Sequence, residues 1–173
     1  MSLHIIIDGY NLIRHSPRLK RLDHQDIQFG RQALIEELAL YRKTKHHRIT
    51  VVFDGANAPE FTQYQDRLKG IDIQFSRAGE SADTLIKRMA AREKEKALVV
   101  SSDRDIAGFA MSQGAAVIDS LDFGKKLRHT ALDPDGASDI LEDKSWNPST
   151  KKKGPSRRLS KRERKNKMKV RKL

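Results

Sequence analysis

Five acidic residues fall where short apolar runs end or where a helix begins. Asp8 follows the run Leu3–Ile7, Asp54 follows Ile49–Phe53, and Asp103 follows Ala97–Val100 and two serines, with Asp105 two positions on. Glu80 and Asp83 flank Ser81, a good helix N-cap. Carboxylates crowded together repel one another and resist ionisation unless a cation sits among them. Mg²⁺ and Mn²⁺ suit such oxygen donors, with water completing the shell. An ion held that way activates water and clamps the oxygens of an in-line phosphoryl displacement. The chemistry indicated is metal-dependent phosphodiester hydrolysis. Taken singly, each acid has an ordinary account, because aspartate is common in turns and caps. Their recurrence points further, as does Asn11, three residues after Asp8, where a second capping group would be redundant.

The elements that must position these residues alternate. Leu3–Ile7, Ile49–Phe53, Ile71–Phe75, Ala97–Val100 and Ala115–Ile118 read as strands; Ile71–Phe75 alternates as a strand with one wetter face would. Helical periodicity covers Phe29 to about Lys45, with Ala33, Leu34, Leu38 and Tyr41 on one stripe. Further helices are expected from Ser81 to about Lys96, over Arg104–Gln113 and over Phe123–Leu132, while the stretch from Arg14 to Arg21 reads as a loop. Strands separated by helices pair in parallel through right-handed crossovers, so the expected class is α/β with helices on both faces. In such a sheet the crevice beyond the carboxyl ends of the strands is the default site. That is where Asp8, Asp54, Glu80, Asp83 and Asp103 converge.

Charge divides the chain of 173 residues. Its net charge is +12, from 35 Lys and Arg against 23 Asp and Glu. Residues 151–173 hold thirteen of the cations and one acid, Glu163, leaving 22 basic and 22 acidic residues in 1–150. Residues 1–146 therefore read as the folded domain and 147–173 as a basic, disordered tail, too poor in apolar residues to fold alone. Lys151, Lys152, Lys153, Arg157 and Arg158 in that tail, with Arg14 and Arg77 beside the acidic blocks, are candidate RNA contacts. The tail has no aromatic residue, so its grip would be electrostatic and indifferent to sequence. With no cysteine, a disulfide framework, cysteine-ligated metal and a cysteine nucleophile are excluded. No apolar run approaches the roughly 18 residues of a membrane span, and no secretory h-region opens the chain. A cytoplasmic protein is expected. Neither GxxxxGK[ST] nor GxGxxG occurs, which leaves no support for a small-molecule nucleotide cofactor.

IIIDGYNLI at 5–13, VVFDGA at 51–56, GESADTLI at 79–86 and VVSSDRDIAGFA at 99–110 together resemble the four blocks of the YacP-like NYN family, a bacterial branch of the PIN-like nucleases. The resemblance implies a PIN-like three-layer sandwich with a mostly parallel central sheet. It also implies a Mg²⁺ or Mn²⁺ site and endonucleolytic cleavage of RNA on or near ribosomes. By the same resemblance Asp8, Asp83 and Asp103 hold the metal, with Asp54 at the rim, Glu80 as a neighbour, Asn11 orienting Asp8 or the phosphate, and Ser102 as a hydrogen-bond donor. From about Ser120 onward the resemblance supplies nothing. Two rivals stand beside the nuclease: an RNA- or ribosome-binding protein without turnover, and a metal-dependent phosphatase or DNA nuclease using the same acids.

Overall fold

The computed structural model describes residues 2–57, 65–132 and 160–173. Its centre is a six-stranded sheet in the order β3-β4-β2-β1-β5-β6. The strands are β1 (His4–Asp8), β2 (Arg48–Phe53), β3 (Gln65–Leu68), β4 (Ile71–Phe75), β5 (Ala97–Val100) and β6 (Ala116–Ile118). All neighbours pair in parallel except β3, which runs antiparallel to β4 at one edge. The helices are α1 (Gly9–His15), α2 (Pro17–Gln25), α3 (Ile27–Lys45), α4 (Ala82–Glu93), α5 (Arg104–Ser112), α6 (Ser120–Leu132) and α7 (Lys161–Val170).

Strands buried on both faces read as unbroken apolar runs, and the pleat divides them. Ile5 and Ile7 of β1, Ile49, Val51 and Phe53 of β2, and Leu98 and Val100 of β5 pack with α1, α2, α3 and α6. Ile6, Val52, Ala97 and Val99 face the other way, onto Leu85, Ile86 and Met89 of α4 and Ile106 of α5. The result is the expected three-layer α/β sandwich. β4 alternates as the sequence suggests, with Ile71, Ile73 and Phe75 buried and Asp72 and Gln74 half-exposed.

Both Asp-Gly steps owe their glycine to close approach. A Cβ on Gly9 would lie 2.4 Å from the Phe53 ring, and one on Gly55 would lie 1.9 Å from the Ser76 carbonyl oxygen. These glycines let the chain turn tightly behind Asp8 and Asp54, so the carboxylates stay at the strand ends.

Two expectations are corrected. The stretch from Arg14 to Arg21 is helical: α1 ends at Ser16, which caps α1 and also accepts from the Leu19 N–H at the start of α2. The expected disorder of the tail does not hold over 160–173. Ser160 and Glu163 form a capping box that starts α7. Beyond it Leu173 is buried in the main core, where the Tyr41 hydroxyl donates to its carbonyl oxygen at 2.9 Å. Few apolar residues suffice because this helix borrows a core already built. The boundary placed at 147 lies outside the described residues, as do Lys151, Lys152, Lys153, Arg157 and Arg158.

Candidate active site

The chain's winding through the sheet reverses at its middle, between β1 and β5, although the strands stay parallel. β1 is followed by helices on one face, while its neighbour β5 is followed by α5 on the opposite face. The carboxyl ends of β1 and β5 therefore open a crevice between diverging helices, the usual location of a ligand site in such sheets. Asp8 ends β1 and caps α1; Ser101, Ser102 and Asp103 follow β5, and Asp103 caps α5.

A chain of hydrogen bonds ties the two sides. The Asp103 N–H donates to Ser101 Oγ at 3.1 Å, and Ser101 Oγ donates to Asp8 Oδ2 at 3.2 Å. Asp8 Oδ1 accepts from the Asn11 N–H at 3.2 Å. The Asn11 side-chain oxygen accepts from the Ser102 N–H at 3.0 Å and from Ser120 Oγ at 2.7 Å, joining α1 to the β5 loop and to the start of α6. Ser120 N in turn donates to Ser102 Oγ at 3.2 Å. Asn11 is thus a brace as much as a capping neighbour. Among the described residues its Nδ2 makes no hydrogen bond to protein.

Asp8 is only 9% exposed. Burial pushes its carboxyl above the ordinary range; the bonds from Asn11 and Ser101 oppose the rise, nearby Asp83 adds to it, and Arg14 on α1 lowers it. Asp83 stands in the first turn of α4. Asp103 spends Oδ1 on the Asp105 and Ile106 N–H groups, at 2.7 and 3.1 Å. Lys87, one turn after Asp83 on α4, bonds Asp105. That hydrogen bond raises its pKa, and Asp83 and Asp103 add to the rise.

The remaining candidates separate from this centre. Asp54 caps its own turn, accepting from the Ala56 N–H at 2.9 Å. Glu80 is turned into an ion pair with Arg88. Among the described residues no three acidic or histidine side chains gather closely enough to enclose one ion. The donor set still fits a hard divalent cation. Mg²⁺ commonly rests on one or two carboxylates and keeps its other waters. The Asp83 charge reaches buried Asp8, so these two carboxylates are the ones that could share such an ion.

Three contributors were not singled out from sequence. Ser101 and Ser120 are small hydroxyls whose importance comes from contacts 93 and 109 residues away in the chain. Lys87, by contrast, was accessible: it lies four residues after Asp83, on the same helix face.

A mostly parallel sheet flanked by helices, with acids at its switch point, defines a PIN-like α/β sandwich. The family model of the YacP-like NYN domain matches residues 5–172, and the chain belongs to that family, a member of the PIN-like nuclease superfamily. The match includes α7. The uncharacterized protein YacP of Bacillus subtilis strain 168 is 30% identical over 86 residues, half of this chain and half of that protein. The chain thus spans about half the length of the curated relative it matches. The crystal structure of Rae1 (YacP) from Bacillus subtilis aligns with a TM-score of 0.62 at 27% identity, over 76% of each chain. A crystal structure of a mutant of that same protein gives the same TM-score at 24% identity, over 75% of this chain and 76% of that one.

Proposed function

We propose that this chain is a divalent-metal-dependent endoribonuclease that cleaves RNA phosphodiester bonds, working in the cytoplasm on or near ribosomes. The observation that carries the reading is the buried Asp8 carboxylate beside Asp83, braced at the switch point of a PIN-like sheet. Family membership supports the same class. Asp8 and Asp83 would hold the ion, Mg²⁺ or Mn²⁺, with Asp103 on the opposite wall of the crevice. When bound, such an ion supplies a water of lowered pKa and charge neutralisation at the phosphate. Ser101 and the Asn11 N–H fix the Asp8 carboxylate in one orientation. Asn11 Nδ2 is placed to donate to a phosphate oxygen, and Arg14 adds positive charge at the mouth of the crevice.

One observation favours the non-catalytic reading. Lys87 already brings a cation to Asp83, Asp103 and Asp105, so part of the acidic charge is balanced without metal. The test is cleavage of end-labelled single-stranded RNA with Mg²⁺ or Mn²⁺, wild type beside Asp8→Asn, repeated on translating ribosomes. Metal-dependent cleavage that vanishes in the variant while RNA binding persists is the expected result. Equal cleavage by both proteins removes Asp8 from the centre. Binding without cleavage, on free RNA and on ribosomes alike, leaves the binding-protein reading.

A further inference from the structure

A cavity of about 420 Å³ lies beside this centre, on the α4 face of the sheet. Gln65 and Gln74 line it from β3 and β4, where they stand directly opposite each other in the antiparallel register. Directly opposed residues share a sheet face, so the two amides form one polar wall. Leu85 of α4 supplies an apolar surface, and Arg77 and Arg88 bring positive charge. Glu80 holds Arg88 in place through their ion pair. Among the described residues, neither the glutamine side-chain amides nor the Arg77 guanidinium has a hydrogen-bond or ion-pair partner. Unpartnered polar groups converging on a concave site of this volume are the pattern of a ligand pocket.

We infer that this cavity is a nucleotide subsite, taking one unpaired base of an RNA strand with its edge against the two glutamine amides and its phosphate at Arg77. Each amide presents a donor and an acceptor side by side, as base edges do. Single-stranded RNA is read this way, through splayed bases and their exposed edges. The position fits a strand crossing the catalytic crevice. Glu80 and Leu85, three residues before and two after Asp83, both line the cavity, which puts it near that carboxylate. A strand with its phosphate near Asp83 has its next nucleotide within reach of the cavity. The assignment rests on the nuclease reading for its link to cleavage, but not for binding.

Two measurements on the full chain test it. The first is the affinity of a short, labelled, mixed-sequence single-stranded RNA for the Asp8→Asn chain, with and without Gln65→Leu and Gln74→Leu. The second is the distribution of cut sites on a randomised RNA, for the cleaving chain with the same glutamine changes. Base-edge contacts are worth enough that the double variant is expected to bind about fivefold more weakly or worse and to lose base preference at one position fixed relative to the cut. Its melting midpoint should stay within about 2 °C, because neither residue is buried. Arg77→Ala is expected to weaken binding without moving that preference. Unchanged affinity, or an unchanged cut-site distribution in a cleaving chain, overturns the subsite. If the wild-type chain cuts no RNA, the nuclease reading fails by itself and the affinity measurement alone decides the cavity.

Discussion

At the scale of single residues, Asn11 links positioning to chemistry, and its two roles can be separated. Its side-chain oxygen holds Ser102 and Ser120, whereas its Nδ2 has no protein partner among the described residues. Asn11→Asp keeps an oxygen acceptor for both bonds but removes the donor and places a negative charge beside Asp8. Cleavage is expected to drop about 100-fold or more, the size of effect typical when a positioned donor is lost, with a melting midpoint close to wild type. Asn11→Ala instead leaves the Ser102 N–H and Ser120 hydroxyl without their acceptor. A cost of about 1–3 kcal/mol follows, and in a chain of this size that lowers the midpoint by several degrees, at roughly 2–4 °C per kcal/mol. Initial rates and thermal melts of the two variants side by side check this. Full activity in Asn11→Asp would reduce Asn11 to a brace.

At the scale of elements, α7 shows where sequence reasoning succeeds and where it stops. The central strands were legible because Leu3–Ile7, Ile49–Phe53 and Ala97–Val100 are apolar runs too short for helices, each followed by an acid or a small polar residue. Asp8 and Asp103 could be read onto the two sides of one crevice because parallel topology puts strand ends on one edge. β3 was not legible, since Gln65–Leu68 has only Leu68 as an apolar residue and is exposed along its length. Arg31, three residues before Leu34, puts a cation on the buried face of α3. It is enclosed by the rings of Tyr10, Phe53 and Phe75 at 5.2–5.5 Å. In α7 the sequence does carry the capping signature, Ser160 with Glu163 three later. What composition hides is the docking. Asn166 mimics a neighbouring strand, its Oδ1 accepting from Val117 N at 2.7 Å and its Nδ2 donating to the Val117 oxygen at 3.1 Å, and so closes the free edge of β6. Leu173 then anchors the end. Leu173→Ala is expected to cost about 2–4 kcal/mol, as deletions of buried leucine do, and to raise hydrogen exchange of the Val117 amide as α7 loosens. Unchanged exchange and midpoint would mean that α7 contributes nothing to the core.

At the scale of the whole molecule, the charge that looked like a tail is partly a surface. The body of residues 1–150 is balanced, and the excess lies C-terminal. Over 160–173 that excess is held on a fixed helix rather than spread along a coil. Lys161, Arg164, Lys167 and Arg171 are exposed, and their spacing of three or four residues puts them on one face. The opposite side docks: Lys165 pairs with Glu95 at 2.9 Å, and Lys169 donates to the Gly114 carbonyl at 3.4 Å. A row of cations on a helix attracts any polyanion by counterion release, without reading its bases. The division of labour with the Gln65–Gln74 cavity follows from that, affinity from α7 and choice from the pocket. Replacing the four exposed cations together by glutamine is therefore expected to weaken RNA binding uniformly across sequences. The dependence of log affinity on log salt should flatten by as much as about 3, at roughly 0.7 per lost single-strand phosphate contact. Binding titrations of wild type and the fourfold variant against two RNAs of different sequence, from low to moderate salt, measure both quantities. An unchanged salt slope would move the polyanion surface away from α7. A flattened slope accompanied by altered base preference would show that this helix does more than attract, because charge alone carries no sequence information.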